Sequence, residues 1–366
     1  MAKTTRELNL FINRLAILLR KHFIHVSWMS IFSLLCFHAI LSWLLLYWAQ
    51  EYELTNLSSY IYYYVVTTST VGYGDLSPSS FEGKLVVALV QIPLGLAIFA
   101  ALLGKLGRSV STVLRQVMTG TKDFSDEDSH ILIFGWHEGR TEKMIKHILG
   151  DNKRQKRKIL LCVTNELEHP FFSHSLVEFA KLKSMTQDDE LTRVAVTKAD
   201  RIIVDCDNDD QTFTCALKLS SLVKDGCHIS ANFSDDTKIE MLNRYTKNIE
   251  CNSSKTAEIL VRSMQDPGSS RLQEEMMSTL NGHTQFSTQI PLDTAPHKFA
   301  DLFFHLKQNH NAILLAVAED RIGIKMHLNP ANDFSVMPGQ VLHYVSSERI
   351  IADEIEWTEI AVRDLL

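Results

Sequence analysis

The sequence predicts a membrane-embedded α-helical part followed by a soluble α/β part. Three observations carry this. Two long apolar runs free of charge lie within the first 118 residues, a polar stretch follows at 119–128, and short apolar strands then alternate with helical segments. The charge divides at the same place. Residues 1–118 hold 9 of the 37 basic and 5 of the 43 acidic side chains, a net of +4; the rest of the chain holds 28 and 38, a net of −10. At 366 residues with 45% apolar and 22% charged side chains, the chain is neither disordered nor a small disulfide-stapled domain. Its net charge of −6 argues against a nucleic-acid partner. The six cysteines form no CxxC pair, and the last five, which lie in the acidic part, read as reduced thiols of a cytosolic domain.

Residues 26–48 hold no Lys, Arg, Asp or Glu and are long enough to span a bilayer, with Trp43, Tyr47 and Trp48 at the far end as an interfacial aromatic belt. The stretch is too long for an ordinary cleaved signal peptide. A second run, 85–103, has Gln91 as its only polar side chain. Lys3, Arg6, Arg14, Arg20 and Lys21 precede the first run, and Lys105, Arg108 and Arg115 follow the second. The loop between the runs is acidic, with Glu51, Glu53, Asp75 and Glu82 against Lys84. The positive-inside rule therefore predicts a multi-pass protein of the cell membrane with both termini cytoplasmic. Residues 8–19 read equally as an interfacial helix or as an extension of the first span.

The loop contains Thr67-Thr68-Ser69-Thr70-Val71-Gly72-Tyr73-Gly74-Asp75. Its core, Thr70 to Gly74, resembles the potassium-channel signature at every position. The resemblance implies a selectivity filter in which the carbonyls of Thr70, Val71, Gly72 and Tyr73, with the Thr70 hydroxyl, replace the hydration shell of K+. Such a backbone needs left-handed conformations at alternate residues, which Gly72 and Gly74 reach without a Cβ penalty. It also implies a short pore helix over 56–68. Its C-terminal dipole end faces the ion, and Tyr62 and Tyr63 form an aromatic cuff that, with Asp75, supports the filter. Val66 stands where some members carry a carboxylate. One chain supplies a quarter of the ring, so a homotetramer in a lipid bilayer is implied. No Arg-rich span precedes the pore, so an S4-type voltage sensor is not expected. Pro93 and Gly95 in the second span form a candidate gating hinge, one residue off the family's usual position at Leu94; both residue types are also simply tolerated in membrane helices.

After the polar linker, strands are expected at 130–134, 159–163, 177–183, 202–205 and 229–232. Helices are expected at 139–149, 188–196, 209–223 and 235–244. Repeated β-α units predict a parallel, Rossmann-like sheet. The stretches His130–Glu138 and Ala199–Asp205 resemble the RCK (regulator of potassium conductance, TrkA-N) domain. With the filter, the whole chain is similar to prokaryotic two-span potassium channels with a C-terminal RCK domain. The resulting divisions are 1–25 N-terminal, 26–118 pore, 119–128 linker, 129–253 Rossmann-like lobe, 254–284 connecting helices and 285–366 a small α+β lobe. In the small lobe a helix is expected at 299–306 and strands at 313–317 and 322–327, with Phe334–Leu342 resembling the family's closing turn and strand. Met118 stands where some relatives start a free cytosolic subunit; an ordinary methionine is the simpler reading.

Two ligand classes follow from the resemblance. The turn Gly135-Trp136-His137-Glu138-Gly139 is a candidate nucleotide site, although only the first glycine of the dinucleotide fingerprint is in place. Asp205, Asp207 and Asp209 are a candidate divalent site for Ca2+, but Asn232 and Ser234 replace the glutamates of calcium-gated relatives, and acid clusters at strand ends are commonly solvated loops. The expected function is a potassium-selective, non-enzymatic channel whose RCK domains pair into a cytosolic gating ring opened or closed by Ca2+, a nucleotide or another ligand. The alternatives are a mainly structural ring, a membrane-anchored Rossmann oxidoreductase, and a regulatory subunit of a separate transporter.

Overall fold

The computed structural model describes residues 27–151, 156–246, 248–280 and 282–360. The N-terminal segment 1–25, with the reading of 8–19 as an interfacial helix or an extension of the first span, lies outside them. The chain divides into two units between Arg115 and Gln116, close to the expected boundary at 118.

The first unit is helical. Its first span, Trp28–Trp48, begins at Ser27, whose hydroxyl accepts the Ser30 N–H at 3.0 Å and so satisfies a free helix-end donor. A short helix, Tyr52–Thr55, leads to the half-length pore helix Leu57–Thr68, capped by the Asn56 side chain on the Ser58 N–H. The second span is one helix from Phe81 to Met118, longer at both ends than its apolar run. Within it, Val87–Gln91 widens into a π turn, and the Ile92 N–H donates five residues back to the Val87 carbonyl. Pro93 follows directly and has no N–H to give, so the regular i→i−4 ladder cannot pass this point. Both spans are long and apolar enough to cross a bilayer, with mean hydropathies of 2.1 and 2.5. Leu46, Leu54, Tyr60, Tyr63, Tyr64 and Val87 form the interior where spans and pore helix meet.

The second unit holds a six-stranded parallel sheet in the order β3-β2-β1-β4-β5-β6. The strands are β1 Ile131–Phe134, β2 Ile159–Val163, β3 Val177–Lys181, β4 Arg201–Val204, β5 His228–Phe233 and β6 Ile249–Ser253. Every residue of β1 and β2 is buried, because helices cover both sheet faces; their uninterrupted apolar runs have this cause. The order reverses between β1 and β4, which places a crevice beyond their carboxyl ends. Helices Thr256–Gln265 and Ser269–Met277 follow. The last lobe is an antiparallel sheet, β10-β9-β12-β7, of β7 Thr284–Gln289, β9 Ile313–Ala318, β10 Met326–Leu328 and β12 Val341–Ser346, with helix Phe299–His310 packed on it. A small pair, β8 His297–Lys298 and β11 Ser335–Val336, completes it.

Three expectations change. The segment 322–327 is mostly a turn: Asp320 Oδ1 accepts the N–H groups of Ile322, Gly323 and Ile324, so only Met326–Leu328 remains to pair as a strand. Strands β6 and β7 went unforeseen, since each is largely polar; β6 is an edge strand. The linker at 119–128 is docked. Phe124 is 3% exposed in the sheet's core, and Arg193 donates to the carbonyls of Gly120, Lys122 and Lys181 at 3.3, 2.8 and 2.6 Å.

Candidate functional site

The pore helix ends at Thr68, and the chain turns back along it. The Thr70 N–H reaches the Thr67 carbonyl and the Gly72 N–H the Val66 carbonyl, both at 3.2 Å. Thr70, Gly72 and Gly74 have φ of 64°, 57° and 80°. The left-handed alternation turns successive carbonyls the same way, as a cation path lined by backbone oxygens requires. The sequence pointed to the two glycines; Thr70 joins them, held by its turn bond.

Three side-chain bonds fix this loop. The Tyr62 hydroxyl donates to Asp75 Oδ2 at 2.8 Å and ties the outer end of the loop to the pore helix. The Tyr63 hydroxyl donates to Gln91 Oε1 at 3.2 Å and ties the pore helix to the second span. Tyr64, on the same helix, pairs with His38 Nδ1 of the first span at 2.7 Å. Gly95 sits at the third contact: a Cβ there meets His38 Cε1 and Thr68 Cγ2, each at 3.1 Å. The glycine therefore permits close packing of the second span against the end of helix Leu57–Thr68 and against His38, beside the π turn and Pro93. Val71 and Tyr73 are 54% and 72% exposed within one chain.

Sequence reasoning gave Glu51 and Trp43 no bonding role and did not single out His38. Glu51 is buried, and its carboxylate accepts the Ser80 N–H and Ser80 hydroxyl, both at 2.7 Å, and the Ser79 hydroxyl at 3.2 Å, joining the two ends of the loop. Gly83 leaves room for it, since a Cβ there falls 2.5 Å from Glu51 Oε1. Burial pushes the Glu51 carboxyl up, but the four hydrogen-bonding contributions of Ser80 and Ser79 outweigh burial and hold it below its ordinary value. Trp43 Nε1 donates to the Thr55 carbonyl at 2.8 Å. The signal available was an acid and a tryptophan at the edge of an apolar run.

In the second unit, the candidate nucleotide turn lies at the crevice between β1 and β4. Gly135 has φ of 105°, and a Cβ there falls 1.9 Å from the Asp205 carbonyl oxygen, so this glycine answers to the close approach of the β1 and β4 ends. Trp136 packs edge-on against Phe171. The His137 N–H donates to Thr141 Oγ1 at 2.9 Å, and His137 Nε2 reaches the Cys206 carbonyl at 3.1 Å across the crevice. Glu138 and Gly139 are exposed, with open space around Gly139. Arg140 closes on Asp205 from the first turn of its helix at 2.8 Å.

The three aspartates of the candidate divalent site are not brought to one point. Asp205 is buried and bound by Arg140 and by Asn232 Nδ2 at 2.9 Å. Asp207 receives Asn165 Nδ2 at 3.3 Å. Asp209 accepts the N–H groups of Ser234 and Asp235 at 3.0 and 2.8 Å, just before the next helix, which Asp235 caps. Among the described residues no three His, Cys, Asp or Glu side chains converge as a metal site. The acidic spacing reflects local ion pairing and capping.

Residues 29–112 match a family model described as ion channel. The first unit is an ion-channel domain. Two curated relatives agree with this. YugO of Bacillus subtilis, provisionally named a potassium channel protein, is 24% identical over 163 residues, covering 44% of this chain and 47% of its own. The calcium-gated potassium channel TvoK of Thermoplasma volcanium is 24% identical over 154 residues, covering 42% and 41%. The chain spans about half the length of the curated relatives it matches. Among solved structures, the GsuK channel bound to NAD is 17% identical, covers 91% of this chain and 58% of its own, and has a TM-score of 0.42. The channel domain precedes a domain built on a parallel sheet. The domain's Rossmann-like character rests on its own strand order.

Proposed function

We propose that four copies of this chain form a potassium-selective membrane channel, with both termini cytoplasmic and the second units paired into a ring that gates the pore. The observation that carries this is the Thr70–Gly74 loop, with left-handed backbone at alternate residues and its outer end tied to the pore helix by Tyr62 and Asp75. The large exposure of Val71 and Tyr73 in one chain supports a closed ring of copies, where neighbouring pore helices cover them. The π turn with Pro93 and Gly95 supplies the bend at which the second span opens and closes.

The ring's ligand is the second part of the proposal. A relative is named as calcium-gated, and solved GsuK structures are named for bound NAD and ADP. In this chain the separate partners of Asp205, Asp207 and Asp209 weigh against calcium at that place. A nucleotide at Gly135–Gly139 has to displace the contacts that His137 and Arg140 make across the crevice. A ligand gates only if it binds the open and closed rings with different affinity.

The test is ion flux from vesicles containing the purified full chain, under K+ or Na+ gradients. Flux with K+ and little with Na+ supports the reading; equal flux, or none under any added ligand, sinks it. Thermal unfolding of the same protein with Ca2+, NAD, ADP or ATP identifies the ring's ligand by a raised midpoint, and no rise with any favours a structural ring.

A further inference from the structure

Three sulfur-bearing side chains lie near one another in the second unit, beside the Gly135 turn. Cys206 follows β4, Cys215 lies one face inward on helix Asp209–Ser220, and Met185 lies in the loop after β3. Cys206 Sγ is 3.3 Å from Met185 Sδ, and Cys215 Sγ is 3.8 Å from the Met185 carbonyl oxygen. Cys206 and Cys215 are 4% and 1% exposed. Met185 is half-buried and faces a cavity of about 450 Å³, whose walls include Thr164, Ser184, Thr186, Gln211 and Thr214. Of the three, Met185 borders this cavity.

Ligand softness decides what such a place takes. Thiolate and thioether sulfur select soft ions such as Cu(I), while calcium and magnesium ask for several oxygens. Zinc asks for a fourth N or S ligand, and no His, Asp or Glu joins the two thiols among the described residues. We propose that Cys206, Cys215 and Met185 form a binding site for a soft monovalent metal ion of the Cu(I) type, with the cavity as its entrance. On binding, each thiol releases its proton to solvent, and the ion is held by two thiolates and one thioether. The site touches the crevice, because the Cys206 carbonyl accepts from His137. Occupancy of this site does not depend on ion conduction.

The test uses the reduced, purified full chain titrated with Cu(I) against bicinchoninate, which competes for it. One ion per chain is expected to be withdrawn from the chelator, with only sulfur neighbours by X-ray absorption. Cys206→Ser and Met185→Leu each weaken retention by at least roughly tenfold, since even outer-shell partners of a metal site are worth that much. Cys251→Ser leaves it unchanged. Met185→Leu conserves volume and decides the matter if Cys206→Ser fails to fold. Unchanged affinity in Met185→Leu, nitrogen or oxygen neighbours, or no withdrawal from the chelator overturns the proposal.

Discussion

Arg140 grips Asp205 with two nitrogens, Nε to Oδ2 at 2.8 Å and Nη2 to Oδ1 at 2.9 Å, and so bridges the point where the sheet order reverses. The acid is 3% exposed, while half of the arginine side chain faces solvent. The pair thus anchors a helix start to a strand end at the mouth of the crevice. Arg140→Ala leaves the Asp205 charge with Asn232 and loses charge-assisted bonds, a cost of about 2 kcal/mol. The thermal midpoint of the full chain checks this, and Arg140→Lys is expected to restore only part, because one ammonium cannot replace a two-nitrogen fork. An unchanged midpoint in Arg140→Ala means the pair contributes nothing to the fold.

At the filter, Tyr62→Phe removes one hydroxyl and leaves the ring in place. The lost bond to Asp75 is worth about 1 kcal/mol, roughly a fivefold change in the ratio of conducting to collapsed filters. Potassium flux is expected to fall and the thermal midpoint to stay. Equal flux in both proteins means the bond does not hold the filter.

Gly135→Ala tests the close approach of β1 and β4. Its Cβ falls 1.9 Å from a backbone oxygen, and φ of 105° is strained for any other residue. A loss on the order of 3 kcal/mol is expected, which lowers the midpoint by roughly 10 °C for a domain of this size. Gly139→Ala meets open space and carries only the strain of its positive φ, so it costs less.

Glu51 predicts acid sensitivity of the outer loop. Its carboxyl is held below the ordinary glutamate value of 4.5 in the folded chain, so it binds protons more weakly there than unfolded. The stabilisation is complete above the unfolded value and is lost as pH falls through the folded one. Midpoints of the native chain and Glu51→Gln, measured from pH 7 to 3.5 in detergent, are expected to converge at the acid end. A constant gap between them means that ionisation of Glu51 adds nothing.

Both spans, the Thr70–Gly74 loop and the parallel sheet are legible in the amino-acid sequence alone. Each of these is written in local periodicity or in a contiguous motif: charge-free runs at 26–48 and 85–103, Thr70–Gly74, and the fully apolar β1 and β2. Strands β6 and β7 escaped because an edge or one-sided strand shows little apolar pattern. Only the tertiary structure decided which polar groups meet. It placed Glu51 on Ser79 and Ser80, Tyr63 on Gln91, and Arg140 on Asp205, each pair far apart in the chain. It also gave Asp205, Asp207 and Asp209, a candidate divalent site whose spacing alone favours a solvated loop, separate partners, and it brought Cys206, Cys215 and Met185 near one another, which no spacing announces. Hydrogen bonds and ligand sets depend on distances of a few ångströms, and those are set by how strands and helices pack rather than by their order along the chain.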